Sequence, residues 1–156
     1  MVLLPLILLS QNEFEPNDIC AQPADIMVNE TYVAYIQEAN DKDYYRFTLP
    51  SAGMIIFRLI SSSNEVNIQY VLYDEFCQEL EERNTITQGS TFFVENTLCG
   101  PANYTLYLRD GGIGPGGQGS SFDTEVPYSF QVTFIPFTEL DPCECENENI
   151  GQACPI

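Results

Sequence analysis

The 156-residue sequence contains no histidine and no tryptophan. Histidine is the commonest general base in enzymes and a frequent ligand of transition metals, so its absence excludes serine–histidine and cysteine–histidine catalysis. The absence of histidine does not exclude a hydrolase that works through two carboxyl groups. The acidic residues nevertheless concentrate at strand ends and in the tail, and nothing marks one of them as an acid with a raised pKa. We therefore expect a protein that is not an enzyme.

Basic residues are scarce as well. Five Lys and Arg residues stand against 23 Asp and Glu residues, which gives a net charge of -18. Such a charge repels phosphate backbones and anionic membrane surfaces, so nucleic acid is a poor candidate partner. It also opposes the compact state, and bound cations relieve this repulsion where carboxylates crowd together. The charge therefore favours a dependence on calcium.

The sequence also has no apolar run that is long enough to span a bilayer as a helix, so we expect no membrane span. Its most apolar segment is Met1–Ser10. One interpretation is the remnant of a signal peptide, although the basic residues that normally begin such a peptide are missing. The other is a donor strand that the finished protein keeps. We treat residues 1–12 as a segment separate from the main domain.

A retained Met1–Ser10 segment would have seven large aliphatic side chains to bury, each worth about 1.5–3 kcal/mol when it leaves water. The simplest host is a sheet edge on a neighbouring copy, to which the segment adds a strand. Such a head-to-tail contact does not close on itself, so its repetition gives a filament. The residues assigned to this homo-oligomeric contact are Leu3, Leu4, Leu6, Ile7, Leu8 and Leu9.

Six cysteines are present, and no Cys-x-x-Cys pair indicates zinc or a redox motif. We therefore predict disulfides. Cys77 and Cys99 flank a polar excursion between two strand-like runs, so we pair them with each other. Cys143 and Cys145 lie too close together to bond comfortably to one another. Cys20 is then expected to bond to the tail, which carries Cys143, Cys145 and Cys154.

Two Asn-x-Thr sequons, at Asn29 and Asn103, are candidate glycosylation sites. Together with the predicted disulfides they indicate an oxidising compartment, since disulfides persist outside the reducing cytosol. We expect an extracellular protein, either secreted or held at the cell surface.

Runs of alternating, β-branched and aromatic residues dominate the body of the chain, with turn residues between them and no convincing helix. Tyr45, Phe47 and Leu49 share one face of a run, which we expect to be core. Seven or eight short strands at regular spacing predict an all-β fold, an antiparallel β-sandwich. The runs are Thr31–Gln37, Tyr44–Leu49, Met54–Ile60, Val66–Tyr73, Thr91–Glu95, Tyr104–Arg109 and Tyr128–Phe137.

Two oxygen-rich segments lie on either side of the first predicted strand and form a candidate calcium site. Hard divalent cations take about six to eight oxygen ligands from carboxylates, amides and the backbone. A solvated acidic linker explains the same residues equally well, and the spacing does not match the helical calcium loop. The candidate ligands are Glu13, Glu15, Asn17 and Asp18 in the first segment and Asp41 and Asp43 in the second.

The run Glu15-Pro16-Asn17-Asp18, followed by the stretch from Asp41 to Gly53, resembles the bacterial pre-peptidase C-terminal domain. The resemblance covers residues 13–137. It implies an antiparallel β-sandwich of jelly-roll type, found on secreted proteins and often beside proteases. The related collagen-binding domains of bacterial collagenases bind calcium through a similar N-terminal segment.

This resemblance implies that Glu13, Glu15, Asn17 and Asp18 are calcium ligands, together with Asp41 or Asp43. We expect the chain to depart from the family in its cysteines, in the absence of a catalytic domain beside the sandwich, and in an acidic tail at residues 138–156.

Two hypotheses about function follow. The first is a secreted structural protein, a filament subunit assembled through its apolar N-terminal strand and stabilised by calcium and disulfides. The alternative is a soluble binding module for a collagen-like or polysaccharide polymer of the extracellular matrix.

Overall fold

The computed structural model describes residues 15–39, 41–84, 88–111 and 122–138, and this part of the chain forms nine strands and no helix. The all-β prediction is confirmed, with one strand more than the seven to eight expected. The strands are β1 (Ala24–Asp25), β2 (Thr31–Ile36), β3 (Lys42–Leu49), β4 (Gly53–Ser61), β5 (Ile68–Tyr73), β6 (Glu79–Asn84), β7 (Phe92–Leu98), β8 (Ala102–Asp110) and β9 (Asp123–Pro136).

The strands form two sheets, one with the order β1-β3-β8-β5-β6 and the other with the order β2-β9-β4-β7. Within these sheets, four antiparallel pairs form a nested series along the chain: β2 with β9, β3 with β8, β4 with β7, and β5 with β6. This is the pairing of one long hairpin that is rolled into two sheets, which defines a jelly roll. The predicted sandwich of jelly-roll type is therefore confirmed.

The core lies between the two sheets and is rich in aromatic rings. Phe57 on β4 is fully buried, and its ring centroid lies 4.7 Å from that of Tyr70 on β5 in the opposite sheet. The ring centroid of Phe130 on β9 lies 6.0 Å from that of Phe57. On β3, Tyr45, Phe47 and Leu49 point into this core while the alternate residues point outward, as the period of two predicts.

Two strands were missed by the sequence prediction. β6 has charged side chains at four of its six positions, so it lacks the apolar alternation by which a half-buried strand is recognised. It lies at the edge of its sheet, where charged residues are common. β1 is too short to leave a pattern. It pairs in parallel with β3 and is held there by Arg46, which donates hydrogen bonds of 2.7 and 3.0 Å to Asp25.

The predicted disulfide pairing is wrong. Cys77 bonds to Cys20, with 6.2 Å between their Cα atoms, and therefore cannot bond to Cys99. The excursion between Cys77 and Cys99 contains β6, so Cys77 lies in the turn after β5 whereas Cys99 follows β7 in the other sheet. Cys20 is likewise not available to hold the tail. The tail cysteines, Cys143, Cys145 and Cys154, lie outside the described residues.

The described residues include no helix that is long and apolar enough to cross a membrane. The apolar segment with Leu3, Leu4, Leu6, Ile7, Leu8 and Leu9 lies outside the described ranges. Its proposed addition to a neighbouring sheet therefore stays a prediction.

Candidate metal centre and tyrosine face

Three carboxyl groups meet at the beginning of β3. Glu15, Asp41 and Asp43 each place one oxygen within 4.8 Å of the oxygens of the other two. Asp41 and Asp43 are buried, and Glu15 is exposed. Ionised carboxylates this close repel one another, and a cation between them removes that repulsion. The two oxygen-rich segments of the sequence are thus brought together in space.

The two aspartates are held by the strands on either side of the site. Asp41 accepts hydrogen bonds from the backbone nitrogens of Gln37 and Lys42, the second at 2.8 Å, and so fixes the turn from β2 to β3. Asp43 accepts a hydrogen bond of 2.5 Å from the hydroxyl of Tyr128 on β9, and that hydroxyl lies 2.8 Å from the hydroxyl of Tyr45. Asp43 is therefore anchored to both sheets.

Asn17 is the buried residue of the N-terminal segment. Its backbone nitrogen donates to Glu15 at 3.1 Å, and its carbonyl oxygen accepts from the backbone nitrogen of Tyr44 at 3.0 Å, which fixes the segment beside β3. Its side-chain Oδ1 and Nδ2 are fully buried, yet neither has a hydrogen-bond partner among the described residues. A buried polar group left without a partner costs about 1–3 kcal/mol, so a further ligand at this position is expected.

The donor set suits a hard cation. It consists of carboxylate and amide oxygens and contains no histidine or thiolate, which is the chemistry that calcium prefers and zinc or copper does not. Both Asp41 and Asp43 lie at the site, although the resemblance required only one of them. Asp18 is exposed and is not part of the group of three. Glu13 lies outside the described residues.

A second feature is a cluster of tyrosine rings on the outer face of the five-stranded sheet. This tyrosine face consists of Tyr44 on β3, Tyr107 on β8 and Tyr73 on β5. The rings of Tyr44 and Tyr107 stack with 4.5 Å between centroids, and each lies 6.3 Å from the ring of Tyr73. Arg109 places its guanidinium carbon 5.6 Å from the centroid of Tyr107. Tyr44 and Tyr73 are half-buried, so parts of both rings reach solvent.

The hydroxyl groups of this face stay protonated well above neutral pH. Burial raises the pKa of Tyr107 to about 12, although the nearby Arg109 cation acts in the opposite direction. Burial likewise raises the pKa of Tyr44 and of Tyr73. The face therefore presents neutral aromatic rings with hydroxyl groups that can donate hydrogen bonds.

No protein-family model and no curated protein matches the sequence. Among solved structures, the pre-peptidase C-terminal domain of collagenase from Bacillus anthracis is similar to this chain with a TM-score of 0.50 and 17% identity. The match covers 71% of this chain and 94% of that domain. The chain has the fold of this domain. The g-type lysozyme inhibitor PliG of Aeromonas hydrophila matches less well, with a TM-score of 0.48 and 11% identity over 72% of this chain and 96% of that one.

The pre-peptidase C-terminal fold confirms the resemblance that the sequence motifs indicated, at the level of architecture. Sequence reasoning nevertheless missed Tyr128 as the partner of Asp43, because the two residues are 85 positions apart and only the packing of the two sheets brings them together. It also did not single out the residues of the tyrosine face. The sequence does contain one indication of that face. The inward residues of β3 can be identified from their alternation, and Tyr44 lies at an outward position between them.

Both sequons lie on the surface of this fold. Asn29 is exposed and its Oδ1 accepts from the backbone nitrogen of Phe134 at 3.0 Å, while Asn103 is exposed and accepts from the hydroxyl of Thr48 at 2.7 Å. Glycosylation of either residue stays a prediction.

Proposed function

We propose that the chain is an extracellular binding module, not an enzyme, whose N-terminal segment is fixed to the β-sandwich by a calcium ion. The observation that carries this proposal is the meeting of Glu15, Asp41 and Asp43 beside a buried Asn17 amide without a hydrogen-bond partner in the described part of the chain. Two observations support an oxidising, extracellular location: the disulfide between Cys20 and Cys77, and the fold that the chain shares with a collagenase domain.

Calcium would act here as a structural cross-link. The side chains of Glu15 and Asn17 belong to the segment that precedes β1, whereas Asp41 and Asp43 belong to the start of β3. An ion bound by both groups would connect the segment to the sheet and neutralise carboxylates that otherwise repel one another. Since the unfolded chain cannot assemble these ligands, binding would stabilise the folded state.

Removal of calcium is expected to lower the free energy of unfolding. At a free calcium concentration of one hundred times the dissociation constant, the loss on adding a chelator is about 2.7 kcal/mol. Glu15→Gln is expected to weaken calcium binding, because it removes one charge from the site without disturbing a buried residue. Thermal unfolding with calcium and with chelator, together with calorimetric titration, measures both effects.

Glu65→Gln is the matched control, since Glu65 is exposed and lies at the turn before β5. This variant should keep the calcium affinity and the chelator effect of the original chain. A thermal midpoint that is the same with calcium and with chelator would refute the metal centre.

The tyrosine face is the surface that we assign to ligand binding. Neutral rings with donor hydroxyls suit polymers that combine apolar and hydrogen-bonding groups, such as collagen-like peptide or polysaccharide. Arg109 over Tyr107 adds a cation to a chain that is otherwise strongly acidic. We therefore propose an extracellular matrix polymer of one of these two kinds as the ligand.

Tyr73→Ala is expected to weaken binding to such a polymer by about tenfold, which corresponds to the loss of one well-packed aromatic contact. Retention on immobilised collagen-like peptide and on immobilised polysaccharide measures the effect and identifies the class of polymer. Tyr35→Ala is the matched control, because Tyr35 is also half-buried but belongs to β2 in the other sheet. Equal losses in the two variants, or no retention on either polymer, would contradict the assignment.

The filament hypothesis depends on strand addition by Met1–Ser10, which lies outside the described residues. No contact of the described chain favours a filament over a binding module. We keep filament assembly as a prediction and the binding module as the proposal.

A further inference from the structure

A groove opens along one side of the sandwich, where the five-stranded sheet ends with β6 and the four-stranded sheet ends with β7. We call it the edge groove. Its volume is about 560 Å³, and it is lined by residues of β5 and the turn after it, by Leu80 of β6, by β7 and by the start of β8. The residues used below are Leu72, Glu75, Phe76, Leu80, Glu95 and Leu98.

The edge groove has an apolar floor, and polar side chains make up much of the rest of its lining. Leu72 and Leu98 are buried beneath it, whereas Phe76 is 74% exposed and Leu80 is 49% exposed. Phe76 projects from the turn after β5, and Leu80 belongs to an edge strand whose other side chains are mostly charged. Water contact with two large apolar side chains beside an open groove is unfavourable, and a bound apolar group would remove it.

The rim of the edge groove is acidic. Glu75 in the turn after β5 and Glu95 on β7 both line it and are exposed. The described cation on β6, Arg83, is engaged in an ion pair with Glu81. An apolar floor beside these carboxylates is complementary to a segment that has aliphatic side chains on one face and positive charges at its margins.

The main chain of the two edge strands can also take part. In the described part of the chain, β6 pairs only with β5 and β7 pairs only with β4, so the second edge of each strand has no strand partner there. An extended peptide that pairs with such an edge places alternate side chains on opposite faces. Aliphatic residues would then enter the groove, and lysines between them would reach the carboxylates.

We propose that the edge groove binds an extended, cationic segment of a partner protein in which aliphatic and basic residues alternate. This site is separate from the tyrosine face and does not depend on matrix binding or on calcium. The carboxylates of β6 keep acidic chains, including further copies of this one, away from the exposed edge. The same charges attract a basic partner.

Fluorescence anisotropy of the full chain with two labelled synthetic peptides tests the proposal. One peptide alternates lysine and leucine, and the other alternates lysine and serine with the same length and charge. The lysine–leucine peptide is expected to bind at least tenfold more tightly, because only it fills the apolar floor. Phe76→Ser is expected to reduce this difference to about twofold.

Charge variants separate the edge groove from the general attraction of an acidic protein for cations. The double variant Glu75→Gln and Glu95→Gln is expected to weaken binding of the lysine–leucine peptide about tenfold. The double variant Glu30→Gln and Glu125→Gln has the same net charge, but its exposed residues lie away from the groove, so its affinity should change less than twofold.

Three results would overturn the proposal: equal affinity for the two peptides, equal losses in the two double variants, or no binding by the full chain. The last result includes the case in which the chain's own residues fill the groove. All the substituted side chains are exposed, and an unchanged thermal midpoint for each variant verifies that the fold is intact.

Discussion

Phe57→Ala is expected to lower the free energy of unfolding by about 3–5 kcal/mol, the cost of emptying a fully buried aromatic site. The Phe57 ring is 0% exposed, and it contacts Tyr70 across the sandwich as well as Phe92 and Phe130 within its own sheet. Truncation therefore removes packing between the two sheets, not merely within one. Denaturant unfolding measures the loss as a lower midpoint at constant slope.

Phe93→Ala is the matched control for this substitution. Phe93 lies on β7 opposite Arg58, the neighbour of Phe57 on β4, but its side chain points outward and is 65% exposed. We expect its loss to change the free energy of unfolding by less than about 1 kcal/mol. A similar cost for both variants would mean that the core is not centred on Phe57.

The part of the fold that the sequence predicts is the part in which local pattern and tertiary position agree. On β3 the inward residues Tyr45, Phe47 and Leu49 are apolar and the outward residues include Lys42 and Arg46, so strand, face and core follow from alternation alone. β6 is the opposite case. Its charged residues Glu79 and Glu82 remain in contact with water because the strand lies at the edge of its sheet. Strand order depends on the whole chain, so the local sequence of β6 does not reveal that edge position.

The candidate metal centre was predictable as a set of residues but not as an arrangement. Chemistry indicated oxygen ligands in two segments, and the family resemblance related those segments to one ion. Neither could show that Asp41 and Asp43 both reach the site, that Asp43 is held by Tyr128, or that Asn17 is buried without a partner in the described structure. These features arise from the packing of β3 against β9 of the other sheet and from the position of the N-terminal segment beside β3, which are long-range contacts.

Loss of the disulfide between Cys20 and Cys77 is expected to have the other large effect on the free energy of unfolding. It closes a loop between residues 57 positions apart, and a loop of this length is worth about 4 kcal/mol in the chain-entropy account of cross-link stability. The double variant Cys20→Ser and Cys77→Ser should lose about that much free energy of unfolding. Peptide mapping under non-reducing conditions should recover a Cys20–Cys77 cross-link, which Cys99→Ser should leave intact. A Cys77–Cys99 cross-link would contradict the structure.

The same disulfide should influence the metal centre. Cys20 lies three residues after Asn17, so the bond to Cys77 holds the segment with Glu15 and Asn17 against the sandwich before any ion arrives. Without the bond, calcium binding must also order this segment, and the ordering of a few side chains weakens affinity by about tenfold. Calorimetric titration of the double cysteine variant measures this coupling. An unchanged calcium affinity would show that the ligand segment is held by its backbone hydrogen bonds to β3 alone.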